Sequence, residues 1–230
     1  MIKNYEEFCR ALLGCGFSMG GGSDKGIFAL IPYDWQEQQY IDTPVKWHTG
    51  DPDTDPWEWR MRVLEERDDI AYSKVFFRSS GYITKDWYGD FVAVRRGGEV
   101  FEEAYFNGRL SREAKRIYEA VSLNGAAALH DIKRIGGFLR EENSRFERAL
   151  VELQMKLYIT MCGRAQRVNS AGEGYGWSST VFMTAEDFWE QRGVSLKVPD
   201  PLSAYERIEA QALRLNPQAD GKKLKKFILG

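Results

Sequence analysis

Residues 111–137, SREAKRIYEAVSLNGAAALHDIKRIGG, and 143–168, NSRFERALVELQMKLYITMCGRAQRV, decide the fold. In the first stretch Ser111 stands at a helix N-cap, and Ala114, Ile117, Tyr118 and Val121 behind it share one face until Asn124-Gly125 ends the helix. Leu129, Ile132 and Ile135 recur at spacing three and predict a second helix that stops at Gly136-Gly137. In the second stretch Phe146, Leu150, Leu153 and Leu157 line a third helix that begins at Asn143 or Ser144. Residues 158–162 then read as a strand, 164–168 continue it outward, 169–174 turn, and 176–183 return. Three helices followed by a two-stranded hairpin is the order of a winged helix. The fold class expected is therefore α+β, with a winged helix in the C-terminal half and an N-terminal α+β portion packed on it.

Working outward, Tyr5, Phe8 and Leu12 stand at helical spacing behind an Asn4 cap. The glycines at 20–22 lack the GxxxxGK[ST] spacing of a phosphate loop and read as a flexible loop. Residues 26–31 read as a buried strand closed by Pro32. Asp55 can cap a helix with Pro56 at its first position and Glu58 at the capping-box position, carrying Trp57, Trp59, Arg60, Val63 and Leu64. Residues 70–77 are strand-like, 80–84 read as a turn, and 86–91 as a short helix or loop. Downstream, a helix from Ser203 to Leu215 breaks at Asn216-Pro217, and the lysine-rich 222–229 reads as a basic, solvated tail. The expected division is 1–108 as an acidic and aromatic α+β region, 109–192 as the winged-helix domain, and 193–230 as a C-terminal helix and tail.

Composition narrows the function. With 43% hydrophobic and 29% charged residues, disorder, collagen and disulfide scaffolds are excluded. The 32 bases and 34 acids leave no global excess to attract a polyanion, so any nucleic-acid face must be local. The mean hydropathy is −0.48 and no 18-residue apolar run occurs, which argues against a membrane span. The first residues lack the apolar core of a signal peptide, and a cytoplasmic location is expected. Cys9, Cys15 and Cys162 form no CxxC pair, and the only histidines, His48 and His130, have no ligand-spaced partner. We therefore expect no metal and no cofactor.

Charge is unevenly spread. Residues 31–70 hold eleven acids and four bases, whereas 110–170 hold eleven bases and seven acids. Arg145, Arg148 and Lys156 on the third helix, with Arg164 and Arg167 on the outgoing strand, are candidate phosphate contacts. Glu147 and Glu152 interrupt that face, so a winged helix serving only protein contacts or self-association is the open alternative. Upstream, Trp57, Trp59 and Tyr72 could stack an extruded base, Asp53 or Asp55 could supply a carboxylate, and Arg60 or Lys74 could hold a phosphate. The same tryptophans and aspartates equally read as core and helix caps. Asp51, Asp53 and Asp55 alternate like hard-cation ligands, but two prolines and the lack of a downstream Glu at loop spacing weigh against that use.

The stretch 51–60 (DPDTDPWEWR), Tyr72-Ser73-Lys74-Val75, 146–155 (FERALVELQM) and Tyr175-Gly176-Trp177 resemble the bacterial AlkZ-related proteins. These look like relatives of the AlkZ-type winged-helix DNA glycosylases, which excise alkylated bases and unhook interstrand cross-links. The likeness spans roughly residues 25–190 and implies a DNA-binding fold, DNA as partner and a place in DNA repair. The glycosylases use a Gln-x-Gln motif to position water. Gln36-Glu37-Gln38 has that spacing but follows Pro32-Tyr33-Asp34-Trp35 rather than a helix context, so glycosylase activity stays open. A non-enzymatic winged-helix regulator is the alternative.

Overall fold

In a computed structural model, which describes residues 2–21, 23–32, 44–168 and 174–230, the chain builds two hydrophobic cores. The first begins with α1 (Tyr5–Cys15), where the Asn4 side chain accepts from the Glu7 N–H at 2.9 Å and Tyr5, Phe8, Cys9, Leu12 and Cys15 are buried. Next come β1 (Phe17–Met19), α2 (Pro56–Glu66), β2 (Ile70–Phe76), β3 (Ser79–Thr84) and α3 (Lys85–Arg96). The three strands form an antiparallel sheet in the order β1-β3-β2.

The second core holds α4 (Phe101–Phe106), α5 (Arg112–Ser122), β4 (Ala127–Ala128), α6 (Leu129–Ile135), a 3-10 turn (Arg140–Glu142), α7 (Asn143–Met155), β5 (Ile159–Val168) and β6 (Gly174–Thr184). Its antiparallel sheet runs β4-β6-β5. The Ser111 hydroxyl accepts from the Ala114 N–H, and the expected apolar faces turn inward, with Ile117, Val121, Ile132, Phe146 and Leu153 fully buried. Ile135 alone of its helix's expected face stays exposed. The mixed helix-and-sheet class expected from the sequence is what the chain adopts.

The chain then returns to the first core. After α8 (Ala185–Glu190), α9 (Pro201–Leu215) packs on α3, and a Cβ on Gly89 would lie 2.0 Å from the Lys197 carbonyl oxygen, so this approach needs a glycine. Last comes α10 (Gly221–Leu229). Its Leu224, Phe227 and Ile228 are buried, and the Phe227 ring stacks on Phe76 at 4.1 Å.

Three expectations need correction, and the helical reading of 86–91 is extended. Residues 222–229 are a docked helix rather than a solvated tail, because their three apolar residues fall at i, i+3 and i+4 and find the aromatic core. Residues 80–84 belong to β3. The turn is Phe77-Arg78, both in the left-handed region (φ 50° and 61°), as a two-residue hairpin requires. Residues 86–91 lie inside the 12-residue α3. Residues 26–31 form no strand: only the Met19 N–H to Phe28 carbonyl bond and the Leu30 N–H to Ser18 Oγ bond tie them to β1.

Gln154 and Arg95 are among the side chains that join the cores. Gln154 of α7 accepts from Ser73 Oγ (2.8 Å) and from the Lys74 N–H (3.0 Å) of β2, while its amide donates to the Leu150 carbonyl. Arg95 of α3 reaches four carbonyls, those of Val75, Met155, Phe227 and Ile228.

Candidate functional site

The clamp made by Gln154 and Met155 holds the C-terminal half of α7 against β2. Met155 adds a contact there, its sulfur accepting from the Arg78 N–H. The N-terminal half is different. Asn143, Ser144, Arg145, Glu147 and Arg148 are exposed, because Phe146, Ala149 and Leu150 take the inward positions. This half is what α7 can offer to a groove.

Its charges sort by partner. Glu142 is bound by Arg116 at 2.8 Å, and that hydrogen bond holds its carboxyl down at about 2. Glu147 is paired with Lys133 at 3.3 Å. Arg145 lies 3.7 Å from Glu113 and 3.8 Å from Glu142, both long contacts on an exposed side chain. Arg148 has no acidic partner among the described residues, nor have Arg112 at the start of α5 and Arg140 in the turn before α7. Arg112 and Arg140 were not among the sequence candidates. Their only sequence signal is that each stands at a helix entry beside the basic face.

The other expected cations are more committed. Lys156 donates to the Arg109 carbonyl at 2.7 Å and lies 3.8 Å from Glu152. Arg164 of β5 pairs with Glu65 of α2 at 3.4 Å, so the hairpin leans toward α2. Arg167 is on β5, with its side chain outside the described residues, as is the turn 169–173. Among the described side chains, Lys156 and Arg164 thus have partners of their own away from Arg145 and Arg148. Arg145 and Arg148 share the open face.

The aromatic residues are dispersed as well. Trp59 is fully buried, its indole packed on Phe8 (5.1 Å) and Tyr5 (6.4 Å) and donating to the Pro52 carbonyl. Tyr72 is buried against Tyr82 at 4.8 Å. Trp57 is exposed, with the Arg60 guanidinium 3.4 Å from its ring centroid and the His48 ring at 4.9 Å. These three rings line no common pocket. Lys74 is half-buried on β2, and its ammonium has no acidic partner among the described residues.

Asp55 is buried, and both carboxylate oxygens are used. Oδ1 accepts from the N–H groups of Trp57 (2.8 Å) and His48 (3.1 Å), and Oδ2 from those of Thr49 (2.7 Å) and Gly50 (2.9 Å). One side chain caps α2 and folds the preceding loop over it. Asp53 is exposed and paired with Arg62 at 3.2 Å. Asp51 organises its own turn, and the Asp53 N–H on its carboxylate keeps its pKa low. Among the described residues no three His, Cys, Asp or Glu side chains gather as a metal would need. Gln36 and Gln38 lie outside the described residues.

A hollow of about 470 Å³ opens between the end of α2 and the chain after α8, lined by Leu64, Glu65, Glu66, Arg67, Asp68 and Arg192 among others. Among the described residues no aromatic ring faces it, so these offer no stacking surface for a base there. The thiols supply no nucleophile either. Burial pushes Cys9 up and raises Cys15 and Cys162 to about 11, leaving little thiolate near neutral pH. With a chromogenic disulfide at pH 8, the three thiols are expected to stay largely unreacted in the folded chain and to react together on unfolding. Fast reaction of Cys162 in the folded state would show an activated thiol.

No helix of the described residues is long and apolar enough to cross a membrane. A model of the family described as "AlkZ related" matches residues 2–229. No curated protein is significantly similar to the chain. Among solved structures, the Streptomyces sahachiroi DNA glycosylase AlkZ is similar at 12% identity and a TM-score of 0.42, over 76% of this chain and 50% of that one. The chain thus spans half the length of that relative.

Proposed function

Because the chain belongs to the AlkZ-related family, we propose that it is a winged-helix protein that binds duplex DNA and acts in the repair of damaged, in particular alkylated, DNA. The winged helix comprises α5, β4, α6, α7 and the β5–β6 hairpin. One observation carries the reading. The order helix–strand–helix–helix–hairpin, with strands arranged β4-β6-β5, leaves the N-terminal half of α7 exposed and its Arg148 without an acidic partner among the described residues. In helix-turn-helix modules it is the N-terminal residues of the recognition helix that reach base edges. The clamp at Gln154 fixes the other half and so orients the entering one.

Arg145 and Arg148 are the central phosphate or base contacts in this proposal, with Arg164 and Arg167 of the hairpin as separate, secondary contacts. The domain proposed runs from about Phe101, whose ring stacks on Tyr118 at 3.7 Å, to the end of β6, and the segment after α8 belongs with the N-terminal core.

The test is binding of fluorescent duplexes, intact, alkylated and abasic, at two salt concentrations. The parent chain is expected to bind in a salt-sensitive way and to prefer a damaged duplex. The Arg145→Ala/Arg148→Ala variant is expected to lose roughly tenfold in affinity. Its slope of log affinity against log salt should shrink by about 0.9 per phosphate contact removed, with the melting temperature nearly unchanged because both side chains are exposed. Unchanged affinity in that variant would reject α7 as the contact surface.

A further inference from the structure

We propose that the outer face of α10 is a second phosphate-contacting surface, which grips the DNA backbone away from α7; the proposal rests on duplex DNA being the partner. Lys222, Lys223, Lys225 and Lys226 are all exposed, and none has an acidic partner among the described residues. At 100° per residue they fan over an arc of about 160°, opposite the buried Leu224, Phe227 and Ile228. One neighbouring turn extends the patch. The Lys223 ammonium lies over Gly26, next to exposed Lys25, and that turn is tied to the α9–α10 connection by Asn216, which donates to the Gly26 and Ile27 carbonyls.

These lysines oppose the stability of their own helix. Lys222 and Lys223 occupy the first turn, where the helix dipole disfavours cations, and the one acid at that end is the N-cap Asp220, whose carboxylate is taken up by the Lys223 N–H at 2.9 Å rather than by a lysine ammonium. Lys222 and Lys226 are like charges at i, i+4. Yet the helix is held firmly, with Phe227 stacked on Phe76 and the last carbonyls capped by Arg95. A rigid array of uncompensated cations is a surface whose counter-charge comes from a partner. Lysines, as mobile point charges without arginine's planar fork, suit a continuous phosphate backbone better than base edges.

The experiment uses the whole chain in three variants. The first carries Lys222→Gln, Lys223→Gln, Lys225→Gln and Lys226→Gln; the second carries the same four positions changed to arginine; the third is Arg145→Ala/Arg148→Ala. Each is titrated onto a labelled duplex of about 25 base pairs between about 50 and 200 mM salt. The glutamine variant is expected to bind at least about tenfold more weakly at low salt, with a slope shallower by about 2 to 4, and to melt above the parent chain. The arginine variant should bind like the parent.

A glutamine variant with the parent's affinity and slope overturns the proposal, whatever the third variant does. Weakening confined to the glutamine variant supports it and counts against α7 instead. A parent chain that ignores the duplex overturns both readings. If such a chain sediments with phosphatidylserine vesicles and the glutamine variant does not, the face serves a membrane surface and the DNA proposal is likewise overturned.

Discussion

Asp55→Ala is expected to lower the unfolding free energy by about 3 kcal/mol or more, because one buried carboxylate satisfies four backbone N–H groups. A helix cap alone contributes about 1 kcal/mol. Here the same oxygens also hold the N–H groups of His48, Thr49 and Gly50, so the loop loses its anchor along with the helix. His48 sits at φ 61°, a conformation that a non-glycine residue keeps only when its surroundings enforce it. For a chain of this size each kcal/mol shifts the melting temperature by about 2–4 °C, so a fall on the order of 6 to 12 °C is expected. Asp55→Asn should fall between parent and alanine, since the amide keeps one acceptor and turns two donors toward two of the N–H groups. If both variants melt with the parent and lose only an activity, Asp55 is a chemical group and the structural assignment fails.

The same residue shows what the sequence could and could not reveal. Asp55-Pro56 announces a helix start, and α2 begins there. That the carboxylate also folds the preceding loop depends on three N–H groups converging in space, which no spacing rule encodes. Trp57 and Trp59 stand two apart on a helix and must face different ways; only the Phe8 and Tyr5 rings decide that Trp59 is the buried one. The α5–α7 helices were legible because each carries an apolar stripe longer than its cap signals are ambiguous. The β2–β3 hairpin was not, because Phe77-Arg78 occupies a turn that Asn-Gly would normally mark.

The candidate cations were legible as residues but not as a surface. Arg164 looks free on its strand until Glu65 arrives from α2, and Lys156 until the Arg109 carbonyl does. The lysine run misled in the opposite direction. Its charge hid a three-residue apolar stripe that puts α10 into the core.

Arg95→Met is expected to be as damaging as loss of Asp55, and its damage should appear first in α10. The guanidinium donates to Met155 and Val75 (both 2.7 Å), Phe227 (2.8 Å) and Ile228 (3.0 Å), and burial pushes it down to about 9. One planar fork thus closes the C-terminal ends of α7 and α10 and the end of β2. Methionine fills similar volume but leaves four carbonyls without a donor, at about 1 kcal/mol or more for each that water cannot reach. Lysine, with its donors on one atom, cannot span the four positions, so Arg95→Lys should recover little. We expect a loss of about 3 kcal/mol or more, read by denaturant titration. In hydrogen exchange, the amides of 224–229 should lose protection before those of α7, which keeps its own clamp at Gln154. Trypsin should then cut among Lys222–Lys226 in the variant and not in the parent. Equal protection of α10 in both would show that Phe227 and its aromatic neighbours hold the helix unaided. Because the lysine face is ordered only while α10 is docked, the variant should also bind DNA with the shallower salt slope of the four-glutamine chain, although no charge on that face has changed.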